Sequence, residues 1–149
     1  MKNSIKKFHI IFSFLLLSFN YATAQEYIDW SYLADVEFDI KFSEELGYDL
    51  YYAKFGEMVS PYDGQEVIIS GYMIPLDPMG VSYVLSKNPN SSCFFCGGAG
   101  PETVLELVLK PSAMERYEVD AVKSFKGILK LNKVNEKELT YVLTDAEPN

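Results

Sequence analysis

Apolar and charged residues alternate strictly along residues 34–42, which places apolar side chains on one face of a strand and charged side chains on the other. Further along the chain, short apolar or alternating runs are bounded by turn residues, as in β-strands. These runs predict five more strands, at residues 66–75, 81–86, 103–110, 123–132 and 139–145. The pattern therefore indicates a mainly β protein.

One segment has a different pattern. Ser43, followed by two acidic residues and Leu46, resembles a capped helix start, and it predicts a short helix within residues 43–52. Gly47 disfavours a longer helix, because glycine loses more backbone freedom than other residues when a helix forms.

The five strands after Asp63 include two with an interior glycine, Gly71 and Gly127. Interior strand glycines mark bulges or sharp bends, which small barrels need in order to close. We therefore predict an OB-like five-stranded barrel over residues 63–149, with a β-sandwich as the alternative. Residues 25–62 would form an N-terminal extension that packs on the barrel. Its predicted anchors are aromatic: Trp30, Tyr51, Tyr52 and Phe55.

The N-terminus has the pattern of a secretory signal peptide. Three lysines precede an apolar run over residues 8–19, and Ala22-Thr23-Ala24 provides a cleavage site of the small-x-small type. The apolar run is shorter than the roughly 20 residues that a membrane-spanning helix needs. We expect residues 1–24 to be cleaved, and the exported chain to be periplasmic or secreted without membrane insertion.

Charge restricts the partners of the exported chain. Removal of the three signal lysines leaves ten basic residues against 21 acidic ones, a net charge of −11. Nucleic acids and anionic membrane surfaces would repel such a chain. An envelope protein or a small ligand is the expected partner, and the sequence leaves homodimer formation open.

Catalytic chemistry is restricted as well, since the one histidine, His9, lies in the predicted signal. Serine and cysteine nucleophiles paired with histidine are therefore not expected in the exported chain. We expect no catalytic activity of its own.

The two cysteines of the chain, Cys93 and Cys96, stand three positions apart and are followed by a loop rich in glycine and proline. An oxidising compartment favours a local disulfide, which would stabilise so short a loop by only about 2 kcal/mol. The candidate structural residues of the loop are Gly97, Gly98, Gly100 and Pro101.

Two alternatives for the cysteine pair remain open. The thiolates could form half of a Zn or Cu site, completed by carboxylates such as Asp77 or Glu102 or by a second subunit. Thiol–disulfide exchange is the other, although reactive pairs of this spacing precede a helix whereas here a strand follows.

Residues 71–77, Gly-Tyr-Met-Ile-Pro-Leu-Asp, are followed by a short strand, a cysteine-bearing Gly/Pro loop and a hydrophobic strand. This order resembles the exported bacterial family called domain of unknown function 3299. The resemblance implies an exported OB-like domain and brings no activity with it. The loop departs from the family pattern of cysteine, hydrophobic residue and histidine followed by prolines. Phe95 takes the place of the histidine, Cys96 is an addition, and residues 97–101 replace the prolines.

Together these observations predict a non-catalytic binding or accessory module of the cell envelope, with the cysteine loop as its special feature. The alternative is a periplasmic metal-handling or thiol-redox protein that acts through Cys93 and Cys96.

Overall fold

The structure is a computed structural model, and it describes residues 26–149 with the exception of Val81 and Asn135. The predicted signal, residues 1–24, lies outside the described residues. Most of the described elements are strands, which confirms the mainly β class. In chain order they are β1 (Glu26–Tyr27), α1 (Trp30–Leu33), β2 (Val36–Ser43), β3 (Tyr48–Phe55), β4 (Glu66–Pro75), β5 (Tyr83–Ser86), β6 (Val104–Leu109), β7 (Val122–Leu131) and β8 (Tyr141–Pro148).

Strands β4 to β8 form a closed barrel in the order β4-β5-β6-β8-β7, and β7 pairs back with β4. All neighbouring barrel strands are antiparallel except β6 and β8, which are parallel. A closed five-stranded barrel with this Greek-key order is the OB type of architecture. The predicted barrel is therefore confirmed, and the sandwich alternative is not found.

At both interior glycines, the backbone of another barrel strand lies too close to leave room for a Cβ atom. At Gly127 the pairing of β7 with β8 shifts register, and a Cβ there would lie 2.6 Å from the carbonyl oxygen of Thr144. A Cβ at Gly71 would lie 2.6 Å from the carbonyl oxygen of Ser86. Glycine thus permits the bend and the close strand contact that closure requires.

The main core fills the barrel and also includes residues from the segment before it. Ile28, Leu33 and Val59 are buried in this core together with the inward-facing residues of the barrel strands. The helix α1 is fixed at both ends. The indole Nε1 of Trp30 donates a hydrogen bond to the carbonyl of Ser70 at 2.8 Å, and the hydroxyl of Tyr141 donates one to the carbonyl of Leu33 at 2.6 Å.

The helix predicted within residues 43–52 is wrong. Residues 44–47 form a turn, and β3 then pairs antiparallel with β2 over its whole length, from Val36 opposite Phe55 to Ser43 opposite Tyr48. The capping pattern forms only locally, with the backbone N–H of Leu46 donating to Ser43 Oγ at 3.3 Å. The eight cross-strand residue pairs of the hairpin stabilise this segment more than one capped helical turn would.

The β2–β3 hairpin lies beside the barrel, against the loop that connects β7 and β8. The backbone N–H of Ala53 donates to the carbonyl of Lys133 at 2.8 Å, and the hydroxyl of Tyr48 donates to the carbonyl of Glu136 at 3.0 Å. In the part of the chain that the structure describes, no helix is long and apolar enough to cross a bilayer.

Candidate functional site

The cysteine loop connects β5 to β6, and the part around the cysteines is organised by two single 3-10 turns, at Asn90–Ser92 and Phe94–Cys96. The carbonyl of Cys93 accepts hydrogen bonds from the backbone N–H groups of Cys96, at 3.1 Å, and Gly98, at 3.3 Å. Gly97 follows in the left-handed conformation, with φ of 73°, which glycine adopts without strain. Gly97 and Gly98 thus belong to the turn that carries the cysteines.

The two thiols lie close together in different surroundings. Cys93 is buried in a cluster with Ile74 of β4 and Val84 of β5, and Leu139 packs against the same cluster. Cys96 is exposed, and its Sγ lies 3.2 Å from the carbonyl oxygen of Asn90. The two Sγ atoms are 4.0 Å apart, well beyond the disulfide bond length of about 2.05 Å. Both cysteines are therefore free thiols here, and the disulfide stays a prediction.

The Cys93 thiol affects the pKa of the neighbouring Cys96. Its hydrogen bond with Cys96 and its charge interaction raise the pKa of the Cys96 thiol, and partial desolvation adds to the rise. Cysteines that react as nucleophiles have a lowered pKa, because the thiolate is the reactive form. The accessible sulfur of this loop therefore has the opposite property to that of a reactive thiol.

The two predicted accessory ligands, Asp77 and Glu102, lie in different surroundings. The carboxylate of Asp77 accepts hydrogen bonds from the backbone N–H groups of Met79, at 2.9 Å, and Ser82, at 2.7 Å, and so shapes the β4–β5 turn. The carboxylate of Glu102 lies over Gly100. Among the described residues, no three His, Cys, Asp or Glu side chains converge on a point where they could hold a metal ion. The structure thus does not gather Asp77, Glu102 and the cysteine pair into one cluster.

Glu102 lies in a single 3-10 turn, Pro101–Thr103, which immediately precedes β6. The Thr103 hydroxyl donates a hydrogen bond to the carbonyl of Gly100 at 2.7 Å. Asp77, by contrast, lines an open cleft of about 610 Å³ that it shares with Tyr83 and with Arg116, the one arginine of the chain.

The cysteine loop and the hairpin are joined by aromatic side chains, a feature that the sequence did not reveal. The ring of Phe94 packs edge-on against Tyr51 at 6.1 Å, and Tyr51 packs in the same way against Phe38 at 5.9 Å. Phe95 continues the row, 5.4 Å from Phe94. The two phenylalanines between the cysteines thus connect the loop to the hairpin.

The apolar face of the hairpin continues this row outward. Ile40 is paired with Tyr51 and therefore shares its face, and Phe42 lies two residues further along that face. Ile40 is 53% exposed, Phe42 63% and Phe95 49%. We call this continuous set the aromatic surface. Its members are Phe38, Ile40, Phe42, Tyr51, Phe94 and Phe95.

Part of the aromatic surface was visible in the sequence as the alternating strand at residues 34–42. The alternation predicted an apolar face but not that this face would be left uncovered at its far end. The spacer phenylalanines Phe94 and Phe95 gave the only further signal, because two large apolar residues in a Gly/Pro-rich loop require a packing partner.

Comparison with known proteins identifies the fold and leaves the activity open. No protein-family model matches the chain, and no curated protein matches it. A solved structure of a DUF3299 family protein from Pseudomonas aeruginosa PAO1 is similar, with a TM-score of 0.52 and 13% sequence identity. The similarity covers 85% of this chain and 97% of that chain. The resemblance seen in the sequence is thereby confirmed at the level of the fold.

Proposed function

We propose that this chain is an exported, non-catalytic binding module of the cell envelope, and that its aromatic surface binds an apolar segment of another envelope protein. The observation that carries the proposal is the continuous, exposed row of large apolar side chains from the hairpin to the cysteine loop. Exposed apolar surfaces of this kind mark protein–protein contact sites.

The aromatic surface is held in place before any partner binds. Phe38, Tyr51 and Phe94 are fixed by successive edge-to-face contacts, a favourable geometry for aromatic pairs. The β2–β3 pairing fixes Ile40 and Phe42 in register on the same face. A rigid surface loses little conformational entropy on binding, and this favours affinity.

Charge indicates what kind of segment would fit. Asp49 is paired with Phe42, and Glu44 and Glu45 lie in the adjoining hairpin turn. The expected exported chain is strongly acidic as a whole. Complementary charge steers association and selects partners, so the bound segment would carry lysine or arginine beside its apolar residues.

The cysteine pair has a supporting role in this proposal. Buried Cys93 anchors the loop on β4 and β5, and this placement sets Phe94 against Tyr51. The raised pKa of the Cys96 thiol disfavours the alternative of thiol exchange. Metal handling or thiol-redox chemistry through these two cysteines remains the second prediction.

A peptide-display selection on the exported chain, from Gln25 onward, tests the proposal. We expect the enriched peptides to combine aromatic or aliphatic residues with flanking lysine or arginine. Phe42→Ser and Phe95→Ser should each weaken binding of such a peptide by about tenfold, or about 1.4 kcal/mol. Met114→Ser is the matched control, because Met114 is as exposed as Phe42 at 63% but lies in the β6–β7 connection.

Equal binding of the selected peptides by the Phe95→Ser and Met114→Ser variants would place the contact elsewhere and overturn the proposed surface. A measured turnover that Cys96→Ser abolishes would overturn the non-catalytic assignment and support the thiol alternative.

A further inference from the structure

The hairpin has one open edge. Among the described residues, β2 pairs only with β3. The far edge of β3 is partly occupied, since Tyr52 forms a bridge with Val134 and Ala53 donates to the carbonyl of Lys133. The outer edge of β2 is therefore a row of eight residues available for pairing with another strand.

The direction of the backbone groups on this edge follows from two hydrogen bonds. The backbone N–H of Ala53 points to Lys133 and hence away from β2, so its register partner Phe38 directs its own N–H and C=O outward. The backbone N–H of Gly56 donates to the carbonyl of Asp35, as expected if the odd-numbered residues face β3. By alternation, Phe38, Ile40 and Phe42 offer their backbone groups to the outer edge.

We propose that two copies of this chain pair through their β2 strands, antiparallel about a twofold axis at Ile40. In this register Ile40 lies opposite its own copy, and Phe38 lies opposite Phe42. On the other face Asp39 lies opposite Lys41, twice by symmetry. Each copy thus presents the same strand, as an interface between identical subunits requires.

Charge complementarity selects this register over its neighbours. A shift by two residues in one direction places Asp39 opposite its own copy, with Lys41 then opposite Glu37, and a shift in the other direction places Lys41 opposite its own copy. Like charges directly opposite destabilise a pair, and of these three registers only the one centred on Ile40 has none. A shift of one residue between the two β2 strands would place the apolar side chains of the second copy on the charged face of the first. Lysine on an edge strand normally discourages pairing, whereas here Asp39 of the second copy would neutralise it.

The two charges already attract each other in the monomer, where Lys41 Nζ lies 2.9 Å from the carboxylate of Asp39. Both side chains are well exposed, at 62% and 68%, and so can reach a strand placed alongside. Pairing would also join the two hairpins into one four-stranded sheet and unite two aromatic surfaces on a single face. The dimer does not depend on the proposed peptide binding.

A charge-swap series measured by sedimentation equilibrium on the exported chain tests the pairing. We expect the wild type to have twice the monomer mass. Lys41→Asp and Asp39→Lys should each weaken dimerisation at least tenfold, because like charges then face each other across the axis. The double variant Asp39→Lys/Lys41→Asp should recover the dimer, and a mixture of the two single variants should form a heterodimer.

A monomeric wild type at millimolar concentration would overturn the proposal. So would dimers that persist in both single variants, because the contact would then lie on another surface. Phe95→Ser should leave the dimer intact, which separates a failure of dimerisation from a failure of peptide binding. Circular dichroism of each variant shows whether the fold is retained.

Discussion

Cys93 and Cys96 belong to one turn, but their environments differ because only Cys93 faces the barrel. Cys93 packs against the paired residues Ile74 of β4 and Val84 of β5, so its contribution is apolar packing. Cys96 faces solvent, and the neighbouring thiol raises its pKa. We therefore expect the two thiols to differ in reactivity, and this difference can be measured.

We predict that iodoacetamide modifies the folded protein at Cys96 only, and more slowly than it modifies an isolated thiol. The raised pKa of Cys96 means that less thiolate is present at any given pH, so the rate should rise up to a higher pH than usual. Cys93→Ala removes the main cause of the shift and should accelerate the reaction. Intact mass spectrometry over time, from about pH 7 to pH 10, measures both rates, since the ordinary thiol pKa of about 8.5 lies within this range.

Resistance of both cysteines to alkylation after unfolding without reductant, together with a mass two hydrogens lower, would contradict this prediction. That result would establish the disulfide expected from the oxidising compartment.

Tyr141 provides a second prediction at the scale of single residues. Its buried hydroxyl donates to the carbonyl of Leu33, and burial raises the pKa of Tyr141. Tyr141→Phe should lower the free energy of unfolding by about 1–3 kcal/mol, because a buried carbonyl loses its donor. Tyr48→Phe is the control, since that exposed hydroxyl also donates to a carbonyl, that of Glu136. Urea denaturation of both variants measures the difference, and equal effects would contradict the argument.

At the scale of elements, the sequence identified the barrel strands from hydrophobic pattern alone. The strand predicted at residues 66–75 has those bounds in β4, and the alternating segment at residues 34–42 corresponds to β2. The error lies at β3. There the local signal of Ser43 and Glu44-Glu45 favoured a helix, whereas pairing with β2, a non-local interaction, determined the outcome.

The candidate site shows the same division. The cysteine loop could be located from its residues, because glycine, proline and cysteine carry local chemistry. Which thiol is buried depends on how the loop packs on β4 and β5. The contact of Phe94 with Tyr51 depends on the placement of the hairpin against the loop. No local pattern records that contact between segments more than 40 positions apart in the sequence.

Glu147 gives a prediction at this scale, because it connects three barrel strands. Its carboxylate in β8 lies 2.8 Å from Lys110 Nζ, just after β6, and 3.1 Å from Lys126 Nζ in β7. The hydrogen bond from Lys110 lowers the pKa of Glu147 most, and the hydrogen bond from Lys126 lowers it further. The ion pairs should therefore stabilise the protein above the ordinary glutamate pKa, and this contribution should be lost as the pH falls through the lowered value.

Glu147→Gln is expected to lower the Tm slightly at pH 7, and this difference should shrink as the pH falls below the ordinary glutamate range, because wild-type Glu147 then becomes protonated as well. Thermal unfolding followed by circular dichroism across this range measures the effect. Glu37→Gln serves as the control, because Glu37 lies 3.6 Å from Lys54 with both side chains more than 80% exposed. A Tm difference that grows towards acid pH would contradict the assigned sign.

At the scale of the whole molecule, the segment before the barrel contributes to the same core as the barrel itself. Ile28, Leu33 and Val59 are buried with the barrel residues, while the hairpin between them extends to the side. The sequence predicted an extension at residues 25–62 that packs on a domain at residues 63–149. Because the two parts share one core, we expect residues 25–62 and 63–149 to fold as a single unit.

A core substitution and a truncation test whether the barrel needs the segment before it in order to fold. Leu33→Ala in the full exported chain should lower the free energy of unfolding by about 2–5 kcal/mol, as expected for a leucine in a closed core. Leu46→Ala is the matched control, because Leu46 is 39% exposed in the hairpin turn. Residues 63–149 alone should show no cooperative urea transition, since three core side chains would be missing. Cooperative unfolding of that fragment with the stability of the full chain would instead mean that the barrel folds by itself, and that the preceding segment serves mainly to carry the hairpin.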